Sequence, residues 1–278
     1  MSNAAIEKRE SSPLQSILDS DTIKGRFREM LGQKSAGFIS SILSAVNANP
    51  TLKTADPMSV VSSAAIAASL DLPINPSLGF AHIVPYKDKT GRAIAQFQMG
   101  WKGFVQLGLR TGQYENIHAA VVYEGELTSY ERFTGDVLLN SNNKTSNKII
   151  GYVAYFKLLN GFRKWLYMTH EEVMEHGKKY SKSFAYDTSQ WQQNPDAMAL
   201  KTVTKLLLSK YGILSISMEK AIQADQAAVT LEGEYEYVDR VEPKAPVTEG
   251  KKETKAASVI KGYKEEPVAV EVESDDVI

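Results

Sequence analysis

The chain of 278 residues contains no cysteine. That absence removes disulfides, thiolate nucleophiles, iron–sulfur clusters and cysteine-type zinc sites together. Histidine is scarce: His82, His118, His170 and His176 form neither HExxH nor an i, i+4 pair, so no histidine-based metal site is expected. No apolar run approaches the ~20 residues that span a bilayer, and the opening MSNAAIEKRE lacks the apolar segment of a secretory signal. A cytoplasmic protein with no membrane contact is the expectation. Phosphate-binding loops are missing too. Gly177-Lys178 and Gly250-Lys251 are each followed by lysine rather than Ser or Thr, so neither is the end of GxxxxGK[ST]. There is no GxSxG, and no GxGxxG after a predicted strand. A metal-dependent nuclease would need clustered carboxylates, and the ExK triplet Glu249-Gly250-Lys251 falls in a stretch without regular patterning. These absences argue against an enzyme and against a bound nucleotide.

What is present is a core-sized supply of apolar residues, 43% of the chain, and an uneven distribution of charge. Residues 232–278 hold 7 Lys/Arg against 13 Asp/Glu, a net of −6, leaving 25 against 20 before them, a net of +5. A basic body with an acidic tail suits a protein that handles polyanions. Residues 1–12 are polar and read as disordered, 13–231 as the folded body, and 232–278 as a flexible acidic tail.

The most informative stretch is AIAQFQMGWKGFVQLGLRTG, residues 93–112. Ala93–Met99 alternates, with Ala95, Phe97 and Met99 on one face and Ile94, Gln96 and Gln98 on the other. Gly100 breaks this strand, and Trp101, Phe104, Val105, Gly108 and Leu109 gather on one side of a following helix that Gly112 can cap. Lys102, Gln106 and Arg110 lie along the other side, a line about 12 Å long at 1.5 Å per residue. Such a line can follow a phosphate backbone, or simply be solvated.

Around it, helices are expected at Leu14–Met30 and Phe38–Val46, with Asn49-Pro50 as a stop, and at Pro57–Leu70 after an Asp56 cap. Strand Phe80–Tyr86 pairs with Ala93–Met99 through a turn carrying Lys87, Lys89 and Arg92. Tyr114–Tyr123 is a strand, Ile149–Met168 a hairpin turning at Asn160-Gly161, and Thr169–Glu172 a capping box. The helix it opens runs into HGKKYSKSFAY, where Lys178, Lys179 and Lys182 interleave with Tyr180, Phe184 and Tyr186, a pattern that fits bases on rings and phosphates on cations. Asn194-Pro195 starts a helix with Leu200, Val203, Leu207 and Tyr211 on its buried face and Lys201 and Lys205 beside them, and Ser217–Ala228 is a last helix. The fold class is α+β: a small, mainly antiparallel sheet with hairpins, packed by helices.

Taken in order, SLDLPINPSLGFAHIVPY (69–86), QFQMGWKGFVQLGLRTG, Trp191 and DAMALKTVTKLLLSKYG (196–212) resemble the RecT family of phage recombination proteins, over roughly the middle three fifths of the chain. The resemblance implies annealing of complementary single-stranded DNA without ATP or any other cofactor, Mg²⁺ entering at most with the DNA. It also implies a ring or helical filament of many copies, an annealed duplex as product, and a phage 5′–3′ exonuclease as partner. By this likeness a basic groove is expected from Lys102, Arg110, Lys201 and Lys205, with Lys210, Gln96 and Gln98 nearby. Bases would be exposed or stacked on Trp101, Tyr180 or Trp191. Many members have Tyr-Arg where this chain has Trp101-Lys102, proline where it has Gln190, and Arg-Arg where it has Thr204-Lys205. The last change removes a cation. The acidic, apolar-ended EEPVAVEVESDDVI resembles in composition the tails of single-strand binding proteins, and reads either as a partner-binding segment, with the host single-strand binding protein one candidate, or as a solubilising tail. A module that coats DNA or recruits a nuclease without annealing is the alternative function.

Overall fold

The computed structural model describes residues 12–88 and 90–225, with the backbone of two short strands at 228–229 and 235–236. The N-terminal part is helical, and its breaks fall where a side chain competes for the backbone. α1 (Pro13–Asp19) and α2 (Asp21–Leu31) replace the single expected helix. The reason is Ser20, which turns extended (φ −64°, ψ 143°) and donates its hydroxyl to the Ile17 carbonyl at 2.7 Å. α3 (Ser35–Ala48) ends at Asn49, but Asn49-Pro50 also restarts the chain: the Asn49 side chain accepts from Thr51 and Leu52 N–H and caps the single turn α4 (Pro50–Lys53).

α5 (Pro57–Ser69) is capped by Asp56, whose carboxylate accepts from Ser59 N–H at 2.8 Å. Val60, Val61, Ser63, Ala64, Ile66, Ala67 and Ala68 are all buried on it. Small side chains on nearly every face let the hairpin of β1 (Ala81–Lys87) and β2 (Ala93–Met99) approach closely enough for Ala95 N–H to reach the Ser59 hydroxyl at 2.8 Å. The hairpin pairs Ala81 with Met99 and Lys87 with Ala93 in unbroken register. Only one face of β2 was expected to be apolar and covered, yet Ile94 through Met99 are all buried, because α5 lies on one side and further elements close the other.

β2 runs through Gly100 straight into α6 (Trp101–Arg110). Gly100 N–H donates to the Phe80 carbonyl at 2.9 Å; a Cβ on Gly100 would fall on the Gly79 carbonyl, and one on Gly103 on that of Phe80. The buried side of α6 is Gly103, Phe104, Leu107 and Gly108, while Leu109 is exposed.

The second half is built on an antiparallel sheet in the order β3 (Tyr114–Tyr123), β6 (Ile149–Leu158), β7 (Arg163–Thr169). Between β3 and β6 the chain forms a separate hairpin, β4 (Leu127–Glu131) and β5 (Asp136–Leu139). The β6–β7 turn comes at Asn160-Gly161 as expected, with Gly161 at φ 87°. Thr169 and Glu172 form both bonds of a capping box and open α7 (His170–Tyr180). After the short α8 (Gln190–Gln193) comes α9 (Pro195–Tyr211), which lies against β3, β6, β7, α6, α7 and α8, and then α10 (Ile216–Ala224). One sheet face, including Tyr152, Ala154 and Phe156, joins the main core under α9; part of the other meets β4–β5 through Val122, Val137, Val153 and Tyr167. The architecture is the expected α+β, but the antiparallel strands form several separate small sheets among the described residues. β8 (Ala228–Val229) and β9 (Tyr235–Glu236) pair with each other.

The close approach at the hairpin–helix junction generates a test. Gly100→Ala should lower stability by about 1–3 kcal/mol, the range for forcing atoms into a packed site, read as a fall in the urea midpoint; an unchanged midpoint would mean the junction has slack.

Candidate nucleic-acid interface

α9 was expected to bury one stripe and show lysines beside it. The structure buries far more: Met198, Ala199, Lys201, Thr202, Val203, Thr204, Leu207 and Leu208. Tyr211, expected inside, is 45% exposed. Lys201 and Lys205 are engaged within the chain. Their ammonium groups converge on one carboxylate, Lys201 Nζ lying 2.8 Å from Asp225 Oδ1 and Lys205 Nζ 2.6 Å from Oδ2. The Asp225 side chain is 0% exposed and that of Lys201 is 7%. Met99 N–H donates to Asp225 Oδ1 at 3.0 Å. Burial alone would raise the Asp225 carboxyl, but the charges of Lys201 and Lys205 outweigh it and hold the group down at about 2. Sequence reasoning missed Asp225. The available signal was two lysines at i, i+4 on a helix too apolar to leave them outside, which calls for a buried anion elsewhere.

Four other expected contacts are also internal. Arg110 donates to the Leu70 and Asp71 carbonyls, both at 2.7 Å, satisfying the chain where α5 ends and Asp71 takes a left-handed φ of 47°. Gln96 is fully buried. Gln98 is buried with its amide donating to the Tyr86 hydroxyl at 2.9 Å. Trp191 is buried on Phe184, ring centroids 5.5 Å apart, over Gly177, so neither of its faces is open to a base. Trp101 packs against the core and borders a cleft of about 490 Å³ shared with His82, Gln98, Asn194 and Lys201. Burial, and then the Lys201 charge, keep His82 below the ordinary histidine value.

The exposed cations gather elsewhere. Lys178 and Lys179 close α7, Lys182 follows it, and Lys210 closes α9, all exposed. Two of them act on half-buried His176: burial lowers its pKa first, and the charges of Lys205, Lys179 and Lys210 lower it further. Two rings border this surface. Tyr180, 42% exposed, lies against His176 with centroids 4.5 Å apart and has Lys179 Nζ 5.1 Å from its ring; Tyr211 has Lys164 Nζ at 5.2 Å. Lys164 and Tyr211 were not foreseen as members of such a surface, because they come from β7 and the far end of α9. Lys102 is exposed, its Nζ 5.9 Å from the Trp101 ring. Lys87 and Arg92 are exposed at the β1–β2 turn, where Arg92 pairs with Asp88 at 3.3 Å; Lys89 lies outside the described residues.

The family model described as RecT family matches residues 36–243. The chain belongs to the RecT family. It is 46% identical to "Uncharacterized protein YqaK" of Bacillus subtilis (strain 168) over 215 residues, covering 77% of this chain and 72% of that protein. It is 28% identical to "Protein RecT" of Escherichia coli (strain K12) over 206 residues, covering 69% and 75%. Among the described residues of this RecT-family chain no helix is long and apolar enough to cross a membrane, and no group of three His, Asp or Glu stands ready to hold a metal.

The Asp225 triad carries a prediction with a defined sign. Its folded pKa lies below the ordinary 3.8, so its contribution is fully present above about pH 4 and is lost as pH falls toward 2. Wild-type protein should lose stability across that window in urea titrations. Asp225→Asn, which takes the carboxylate away from buried Lys201, should cost about 3–5 kcal/mol at neutral pH and flatten the acid limb.

Proposed function

We propose that this chain is a cytoplasmic, ATP-independent annealing protein of phage-type recombination, which holds single-stranded DNA by its phosphates and lets a complementary strand pair with it. Family membership over residues 36–243 supports the annealing class, and the observation that supports the location is the set of exposed cations at the ends of α7 and α9, Lys178, Lys179, Lys182 and Lys210, two of which, Lys179 and Lys210, both act on His176. Cations on helix ends meet phosphates and leave Watson–Crick edges outward. Selectivity then comes from base pairing, and no fuel is needed because duplex formation is downhill. No cofactor enters this scheme, and Mg²⁺ would act only through the DNA. Contact with a long strand calls for many copies side by side, and a phage exonuclease would supply the single strand; these two partners are part of the proposal.

Two labelled complementary strands, mixed with the protein in the absence of ATP, should pair faster than without it, followed by fluorescence beside a non-complementary control. Binding without acceleration would reduce the protein to a coating or recruiting module. If the four lysines each neutralise one phosphate, log affinity should fall against log salt with a slope of roughly −3 per protomer, at about 0.7 per contact. Lys179→Ala and Lys210→Ala should each flatten it by about 0.7. Arg110→Ala, which loses two internal bonds, should lower stability and leave the slope unchanged.

A further inference from the structure

The face of the β3–β6–β7 sheet turned away from α9 is only partly covered by the β4–β5 hairpin. On the rest of it the register sets His118, Tyr155 and Trp165 in one cross-strand row and Asn116, Lys157 and Arg163 in the next. The Tyr155 and Trp165 rings stack with centroids 4.0 Å apart and planes 35° apart, both half-buried. They form a two-ring wall standing off the sheet. Beside the Trp165 end of this wall runs an open slot of about 560 Å³ between β7 and the β4–β5 hairpin, bounded also by Tyr130, Glu131, Asp136 and Arg163. That volume lies within the roughly 300–1,000 Å³ of small-ligand sites.

The geometry points to this slot as a nucleobase site of single-stranded nucleic acid, with a base laid on Trp165 and its phosphate held at Arg163. This rests on the single-strand-binding reading above, and adds a contact of a different kind to the lysine cluster. Arg163 is exposed and makes no side-chain hydrogen bond or ion pair with the described residues, whereas the neighbouring Lys157 is tied to Glu115 at 2.8 Å. It is the cation at the slot with freedom to take a phosphate. Glu131 and Asp136 repel the backbone from the slot itself. Each has one oxygen occupied, Glu131 by Phe133 N–H at 3.1 Å and Asp136 by the Thr134 hydroxyl at 2.7 Å. A neutral base fits between carboxylates where a phosphate does not, so the charge pattern orients the nucleotide base-inward. One slot per protomer would anchor a base at intervals and fix the strand's register while the other bases stay free to pair.

The experiment compares full-length protein on oligothymidine and on an abasic oligomer of equal length, which has the same phosphates and no bases. Wild type should prefer oligothymidine by about tenfold, within the ~1–3 kcal/mol of one stacked base. Tyr155→Leu and Trp165→Leu should reduce that preference severalfold with the salt slope unchanged, while the ring-retaining Trp165→Phe keeps most of it. Because Trp165 also packs beside Val137 and Val153, a second readout uses the unaltered protein: 5-bromouridine oligomers should photo-cross-link to the β6–β7 segment carrying Tyr155 and Trp165. Cross-links mapped only to other segments, or a preference that survives both leucine variants, would overturn the slot. A wild type that binds neither oligomer would instead overturn the single-strand reading on which it rests. Binding and annealing with no preference for bases would remove the slot alone.

Discussion

A single buried carboxylate decides which cations this protein can show to a partner. Asp225 sits where α10 ends, accepts the Met99 amide at the end of β2, and takes both Lys201 and Lys205 from α9. The consecutive helices α9 and α10 are thereby fixed at one point to β2, which is remote from them in sequence, and the point lies behind the β2–Gly100–α6 junction. A buried ion triad is a weak source of net stability, since desolvation offsets much of the Coulomb gain. It is a strong source of specificity, because any arrangement that separates the three groups leaves a charge unpaired in low dielectric. α9 therefore has one position against β2, and the sheet and α7 that pack on α9 inherit it.

The same triad links the interior to the surface cluster. Lys205 pairs with Asp225 and, after burial and together with Lys179 and Lys210, lowers the His176 pKa. Burial and these charges favour the neutral form of half-buried His176, against which the Tyr180 ring lies. Exposed lysines keep much of their attraction for an external polyanion while their mutual repulsion is held down by solvent.

Most of the fold was legible because its signals are local. The Asp56 and Thr169 caps, the Asn160-Gly161 turn, the alternation of β2 and the Gly100 break are decided within a few residues, and each stands where the sequence indicates. The misreadings have a common cause. Gln96, Gln98, Lys201 and Trp191 are polar or amphipathic residues whose burial, like the internal bonds of Lys205 and Arg110, depends on what packs across from them, which no local period reports. β2 alternates as a one-sided strand would, yet α5 and its other neighbours cover both faces. Lys201 and Lys205 sit at the i, i+4 spacing of a solvated stripe, and only a residue some twenty positions later reveals their partner. The Ser20 break was local and still missed, since one serine against a seventeen-residue apolar period is a weak signal until its hydroxyl is seen on the preceding turn.

The internal bonds bear on the contact proposed with DNA. The sequence leads to a groove lined by Lys102, Arg110, Lys201 and Lys205 that holds phosphates. With Arg110, Lys201 and Lys205 engaged within the chain, the remaining exposed cations lie on helix ends and turn tips, reached from outside. Under the proposed function, so shallow a set of contacts would bind each protomer weakly and release it easily, and tenacity would have to come from many protomers on one strand rather than from any single site. For the proposed annealing that would be an advantage: a strand gripped on all sides cannot present its bases, whereas one held along a single side by its phosphates presents them to any complement that arrives.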